Sequence, residues 1–274
     1  MSPLPILCYH KVDPRREWGA TRVAPRAFRR QMEALARGGW RTIGSAALLA
    51  QLDAATPAAA GSRTFVLSFD DGYAALAPHA FPVLADLGFT ALVFVITDYV
   101  GRDNDWDVHY GWRRFGHLSW DELAHWSARG IEVHSHGASH ARLTWIPDSQ
   151  AEDELGRSRD AIARRLGSPP VGVAYPFGAV NERVRRLTEA AGYRLGFAGP
   201  RGLPGAATPA ATSARAAADP LALTRLPVYA WDTPGVPFVL QGGLAAALAM
   251  AAARAANRLA VATSLIRRLR SPSA

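Results

Sequence analysis

The sequence predicts an α/β fold in which about seven parallel strands close as a barrel, followed by a helical tail. Three observations predict it. Short apolar runs alternate with longer runs at helical spacing from residue 4 to residue 229. That alternation is the pattern of β–α–β units, whose strands lie parallel. The residues with reactive side chains gather just past the ends of the apolar runs, at the rim where parallel α/β folds bind ligands.

The elements follow in order. A first strand is predicted at 4–9. Over 26–37, Phe28, Met32, Leu35 and Ala36 share one helix face, and Gly38-Gly39 stops the helix. Ser45 caps a second helix. An Ala/Pro/Gly loop over 54–62 leads to a strand at 64–69. A helix then runs from beyond Asp71 to about residue 87, closed by Gly88. Residues 91–96 are continuous, apolar and partly β-branched, as a strand buried on both faces must be. Residues 98–117 form a long loop rich in Trp, Tyr and His. Ser119 and Glu122 form a capping box. Strands are predicted at 131–136, 171–176 and 194–198, and helices at 148–166 and 181–191. An Ala/Pro/Gly loop over 199–219 precedes a last strand at 223–229.

The expected organisation is a catalytic domain over 1–235 and an Ala/Arg-rich helical tail over 236–274. Gln241, Arg254, Asn257 and Arg258 break any tail run long enough to span a membrane. Arg267, Arg268 and Arg270 suit peripheral contact with an anionic membrane face. With 49% hydrophobic and 20% charged residues, the chain has a core and is not broadly disordered. The net charge of +8 is carried by arginines spread along the chain, Lys11 being the sole lysine. No nucleic-acid module accompanies them, so no nucleic-acid partner is expected. Cys8 is the one cysteine, which excludes a disulfide framework and a Cys-rich zinc knuckle. Pro3, Pro5 and His10 interrupt any N-terminal apolar run, so the expected location is cytoplasmic, with the inner membrane face as the tail's contact.

Two motifs carry the chemistry. Ser68-Phe69-Asp70-Asp71-Gly72 ends one apolar run, and His136-Gly137-Ala138-Ser139-His140 ends another. Taken singly, the first also fits a helix-capping turn and the second an incidental histidine pair. Together they offer one carboxylate and two imidazoles, the protein share of a catalytic Zn²⁺ site, with a second carboxylate left as base. Zn²⁺ or another divalent ion fits such ligands, and the chemistry is metal-assisted hydrolysis.

At these residues the chain resembles the polysaccharide deacetylase family, the NodB-homology domain or carbohydrate esterase family four. Ala174-Tyr175-Pro176-Phe177-Gly178 resembles a third motif of that family. The resemblance implies a distorted (β/α) barrel and removal of N-acetyl groups from an amino-sugar glycan. It implies that Asp70 is the base, that Asp71, His136 and His140 hold the metal, and that the Phe177 N–H binds the oxyanion. The chain departs from the family at three places. Ala174 stands where an Arg usually orients the base, and Arg225 is the candidate substitute. His134 stands where the family often has Gly. No histidine follows His140, so the usual C-terminal acid is missing.

Tyr9-His10 at the first strand's end resembles the poly-N-acetylglucosamine deacetylase branch, which implies His10 as general acid. In a closed barrel the first and last strands adjoin, and His10 is expected across the metal from Asp70. Tyr9, Trp106, Tyr110, Trp112 and Trp231 are candidates to stack on sugar rings. Arg225 and Asp232 complete the substrate-binding set, Asp232 either orienting His10 or forming part of the rim. Two alternatives stay open: a glycan-binding protein impaired in catalysis, and an amidase acting on a non-sugar N-acyl compound.

Overall fold

The computed structural model describes residues 4–17, 21–53, 63–106, 114–199, 219–232 and 237. The predicted tail, the 54–62 loop, most of the 199–219 loop and the boundary at 236 lie outside these residues.

The strands are β1 (Ile6–Tyr9), β2 (Lys11–Val12), β3 (Arg22–Val23), β4 (Arg41–Thr42), β5 (Thr64–Phe69) and β6 (Ala91–Val95). They continue as β7 (Ile131–Ser135), β8 (Gly172–Ala174), β9 (Leu195–Ala198), β10 (Leu223–Thr224) and β11 (Leu226–Pro227). The helices are α1 (Pro25–Arg37), α2 (Ser45–Asp53), α3 (Leu76–His79), α4 (Phe81–Leu87), α5 (Trp120–Ser127), α6 (Asp148–Leu166) and α7 (Glu182–Ala190).

The main sheet runs β10-β9-β8-β7-β6-β5-β1-β11, and every pairing in it is parallel. Its two ends are one stretch of chain. Leu223 and Thr224 pair with Phe197 and Ala198, whereas Leu226 and Pro227 pair with Leu7 and Cys8. The handover at Arg225 closes the sheet into a distorted barrel, as the strand–helix alternation predicts. β4 adds to β5 outside the ring, and β2 pairs with β3 apart from it.

Period-two alternation sorts the side chains between lumen and exterior. Leu67, Phe69, Val93, Val95, Ile131 and Val133 face outward and bury α1, α4 and α5 through Phe28, Met32, Leu35, Phe81, Leu84 and Leu123. Ile6, Val66, Leu92, Phe94, Ala174, Leu195 and Phe197 face inward, and Leu48 and Leu49 of α2 pack among them. Helix α2 thus plugs the barrel floor. Glu132, at the start of β7, accepts the Ser45 N–H with both carboxylate oxygens (3.1 and 3.0 Å) and so fixes the start of that helix.

The structure corrects two predicted elements. The single last strand expected at 223–229 is two short strands, β10 and β11, which break at Arg225 to pair with β9 and β1. The single helix expected before Gly88 is two, α3 and α4. Pro82 has no N–H to give to a carbonyl four residues back, so a continuous helix cannot pass it. The short strands β2, β3 and β4 are not among the predicted elements; the other described elements match within a few residues, including the Ser119–Glu122 capping box on α5 and the left-handed Gly88 that ends α4.

Candidate active site

The lumen rows lead upward to the reactive residues. Along β1 the inward positions are Ile6 and Cys8, then His10. Along β5 they are Val66 and Ser68, then Asp70. Glu132 and His134 of β7 precede His136, and Leu223 precedes Arg225. Strand alternation therefore delivers Cys8, His10, Asp70, His136 and Arg225 to one mouth, where they line a pocket of about 160 Å³. Asp71, Trp106, His140, Phe177 and Tyr229 complete its walls.

Three non-glycine residues have positive φ among the described ones: Asp71 (67°), His140 (63°) and Phe177 (61°). All three line this pocket. Side chains resist this conformation, and a backbone held in it at three points of one site is typical of positions fixed for function.

Asp71, His136 and His140 converge, their ligand atoms all within 4.8 Å of one another. Asp71 Oδ1 lies 3.4 Å from His136 Nε2 and 3.6 Å from His140 Nε2. His136 Nδ1 is 2.7 Å from the Ala174 carbonyl, which sets it as the donor and turns Nε2 inward. With Nδ1 on that carbonyl, the His136 Nε2, the His140 imidazole and the Asp71 carboxylate offer two nitrogens and one oxygen to a common point, a donor set that fits a divalent ion. Burial would push Asp71 up, but hydrogen bonding from His136 and the charge of the surrounding imidazoles hold it well below the carboxylate range. Burial would lower His136, but Asp70 and Asp71 raise it.

Asp70 is gripped by Arg225, whose two terminal nitrogens donate to its two oxygens at 2.5 and 2.7 Å. Burial would raise Asp70, but the Arg225 charge and hydrogen bonds, together with the His136 and His10 imidazoles, hold it below the usual carboxylate value. Arg225 lies over the Phe94 ring at 5.5 Å and is itself buried. It therefore contacts Asp70 directly, at a position far in sequence from Ala174.

His10 Nε2 stands 4.0 Å from Asp70 Oδ2. The two residues are side by side, not on opposite sides of the site, because β1 and β5 are neighbours with Tyr9 paired to Phe69. Burial is the main influence on His10 and lowers it, against the opposing charges of Asp70 and Asp71.

Other expectations divide. Trp106 is a wall, its ring 4.1 Å from the His140 ring, and its indole N–H donates to His117 Nε2 at 3.0 Å. Tyr9 is not at the site. It is fully buried on the outer face against Phe28 and Phe69, with its hydroxyl on Gln31. A residue one step from a lumen position points away from it, so Tyr9 cannot stack on a sugar. Trp231 is 43% exposed beside Tyr229 at the rim. Asp232 accepts the Tyr229 N–H at 2.8 Å and so ties the turn after β11. His134 sits below the site, 3.2 Å from Glu132. Tyr110 and Trp112 lie outside the described residues.

Sequence reasoning missed two supports. Glu154 of α6 accepts the N–H groups of Ala138 and Ser139 (both 2.9 Å) and the Ser139 hydroxyl (2.6 Å), and so holds the loop between the paired histidines. His117 Nδ1 is 2.7 Å from the Asp71 carbonyl and steadies that strained residue. A glutamate on the buried face of a helix was the available signal for the first.

The polysaccharide deacetylase profile matches residues 58–196, half of the 274-residue chain. The chain belongs to the polysaccharide deacetylase family. The matched segment carries Asp70, Asp71, His136, His140 and Phe177, whereas His10 and Arg225 lie beyond its two ends. YxkH of Bacillus subtilis, whose name places it among polysaccharide deacetylases, is 26% identical over 197 residues, 71% of this chain and 64% of its own. A poly-β-1,6-N-acetyl-D-glucosamine N-deacetylase of Staphylococcus aureus is 23% identical over 144 residues, 49% of this chain and 47% of its own. The chain thus spans less than two thirds of either relative. Streptococcus pyogenes deacetylase PplD shares the fold, with a TM-score of 0.69 and 20% identity across 85% of this chain and 95% of that one.

Proposed function

We propose that this polysaccharide deacetylase homologue is a metal-dependent hydrolase that removes N-acetyl groups from an amino-sugar glycan. The observation that carries the reading is the pairing, in one pocket, of a three-ligand cluster (Asp71, His136, His140) with an ionised base, Asp70, clamped by Arg225. Family membership and the N-acetylglucosamine polymer named for the Staphylococcus aureus relative support the substrate class.

A divalent ion, Zn²⁺ or another, would be held by Asp71, His136 and His140 and would supply carbonyl polarisation and a more acidic water. Asp70 takes the proton from the attacking water, and Arg225 keeps Asp70 ionised and aimed. The Phe177 N–H, presented by its left-handed backbone, is the donor for the developing oxyanion. The departing amine needs a proton. Neutral His10, 4.0 Å from Asp70, receives the one that Asp70 has taken and passes it on.

The pocket is smaller than a site that encloses a whole sugar, so it takes the acetamido group and leaves the ring at the rim. Trp231 is the exposed platform there. Tight control of Asp70 by Arg225 argues against the impaired-binder alternative. Acetate release from N-acetylated oligosaccharides, compared with N-acetylated amines that lack a sugar, tests the reading. Turnover of the sugar-free amines alone would replace it with the amidase alternative.

A further inference from the structure

We propose that Cys8, His10 and Asp70 form a second cation site, selective for a thiophilic divalent ion, and that filling it inhibits the enzyme. The donor atoms of this triad also lie within 4.8 Å of one another. The Cys8 thiol points at Asp70 Oδ2 from 3.6 Å, and His10 Nε2 faces the same oxygen from 4.0 Å. His10 Nδ1 has no hydrogen-bond partner among the described residues. The ring can therefore turn toward an ion without breaking a bond.

The donor set decides the selectivity. Sulfur, nitrogen and oxygen together favour Zn²⁺ or Cd²⁺ over Mg²⁺ or Ca²⁺. Asp71, His136 and His140 offer no sulfur and discriminate less. Burial keeps the Cys8 thiol protonated in the empty site. An entering cation replaces that proton, which leaves to solvent, and stabilises the thiolate. Arg225 already sits on the same carboxylate, and its charge opposes a second cation. The site therefore fills after the first one and only when the ion is in excess.

Occupancy would engage Asp70 and His10 together. That consequence rests on the proton-carrying roles proposed above, whereas binding itself does not. An ion on the triad removes both the base and the acid from circulation, so inhibition is reversible by chelation.

Cys8 is the one thiol in the chain, so a thiolate-to-cadmium absorption band reports this site and no other. The full chain is titrated with Cd²⁺. The band should be absent over the first equivalent and grow with the second. It should persist in His136→Ala, shift to at least about tenfold higher Cd²⁺ in His10→Ala, and vanish in Cys8→Ser. Cys8→Ser should need at least about tenfold more Zn²⁺ for half-inhibition of its own acetate release. No band in excess Cd²⁺ overturns the site. A band unmoved by His10→Ala, or lost in His136→Ala, also overturns it, since the thiol would then be acting alone or within the first cluster. Zn²⁺ inhibition unchanged in Cys8→Ser overturns the inhibitory half. If no glycan is turned over, the proposed function fails while the cadmium band still decides the site.

Discussion

Asp70 and Asp71 are adjacent in sequence and are proposed for different tasks, a difference that rests on their surroundings. Asp71 has left-handed backbone and faces the imidazoles of His136 and His140, whereas Asp70 faces the Arg225 guanidinium and a third histidine, His10. Asp70→Asn should abolish turnover and leave metal content intact, and Asp71→Asn should lower metal affinity first; metal analysis beside an activity assay reads both. Arg225→Met leaves a buried carboxylate without its partner, a loss on the order of 3–5 kcal/mol when one member of a buried pair is removed. Denaturant unfolding should show that loss together with a fall in acetate release. His10→Ala should slow turnover roughly 10²–10⁴-fold, the range for a lost acid, with the metal affinity of the Asp71–His136–His140 cluster nearly unchanged. The two metal-cluster motifs were legible because each is a compact run of unusual residues. The Asp70–Arg225 contact was legible only as a candidate, since 155 residues separate the partners and nothing local marks Arg225 as paired. Tyr9 misled because an aromatic beside a site histidine looks like a sugar platform until strand alternation assigns it the other face.

At the scale of elements, the floor of the barrel depends on one carboxylate. Burial would raise Glu132, but the hydrogen bonds from His134 and the Ser45 amide hold it below the usual glutamate range. A depressed carboxyl stabilises the fold above its ordinary range, and that stability is lost as pH falls through the lowered value. Unfolding measured against pH should therefore show a loss of stability on the acid side, smaller in Glu132→Gln. A Cβ on Gly44 would meet the same carboxylate, so Gly44→Ala should displace Glu132 and lower the melting temperature. The strand and helix order was readable from periodicity because each element buries one clean stripe. The lumen was harder. Glu132 and His134 interrupt the apolar pattern of β7, and their reason, an anchored plug helix 87 residues away, is tertiary. The break between α3 and α4 was legible in principle from Pro82.

The whole molecule brings together residues that its sequence holds far apart. Closure of β1 onto β11 brings both His10 and Arg225 to Asp70, although both lie outside the segment that the family profile matches. A barrel left open at this seam would keep the Asp71–His136–His140 cluster and lose the Arg225 clamp on Asp70. The central claim is that Asp70, held by Arg225 beside the Asp71–His136–His140 cluster, drives metal-dependent loss of acetate from an N-acetylated glycan. Its most direct test is acetate released from poly-β-1,6-N-acetylglucosamine oligomers by the full chain, before chelation, after chelation and after Zn²⁺ is restored, with Asp70→Asn in parallel. The account predicts release that chelation stops and Zn²⁺ restores, with none from Asp70→Asn although it binds the metal. Release that persists through chelation, or at an unchanged rate in Asp70→Asn, would contradict it.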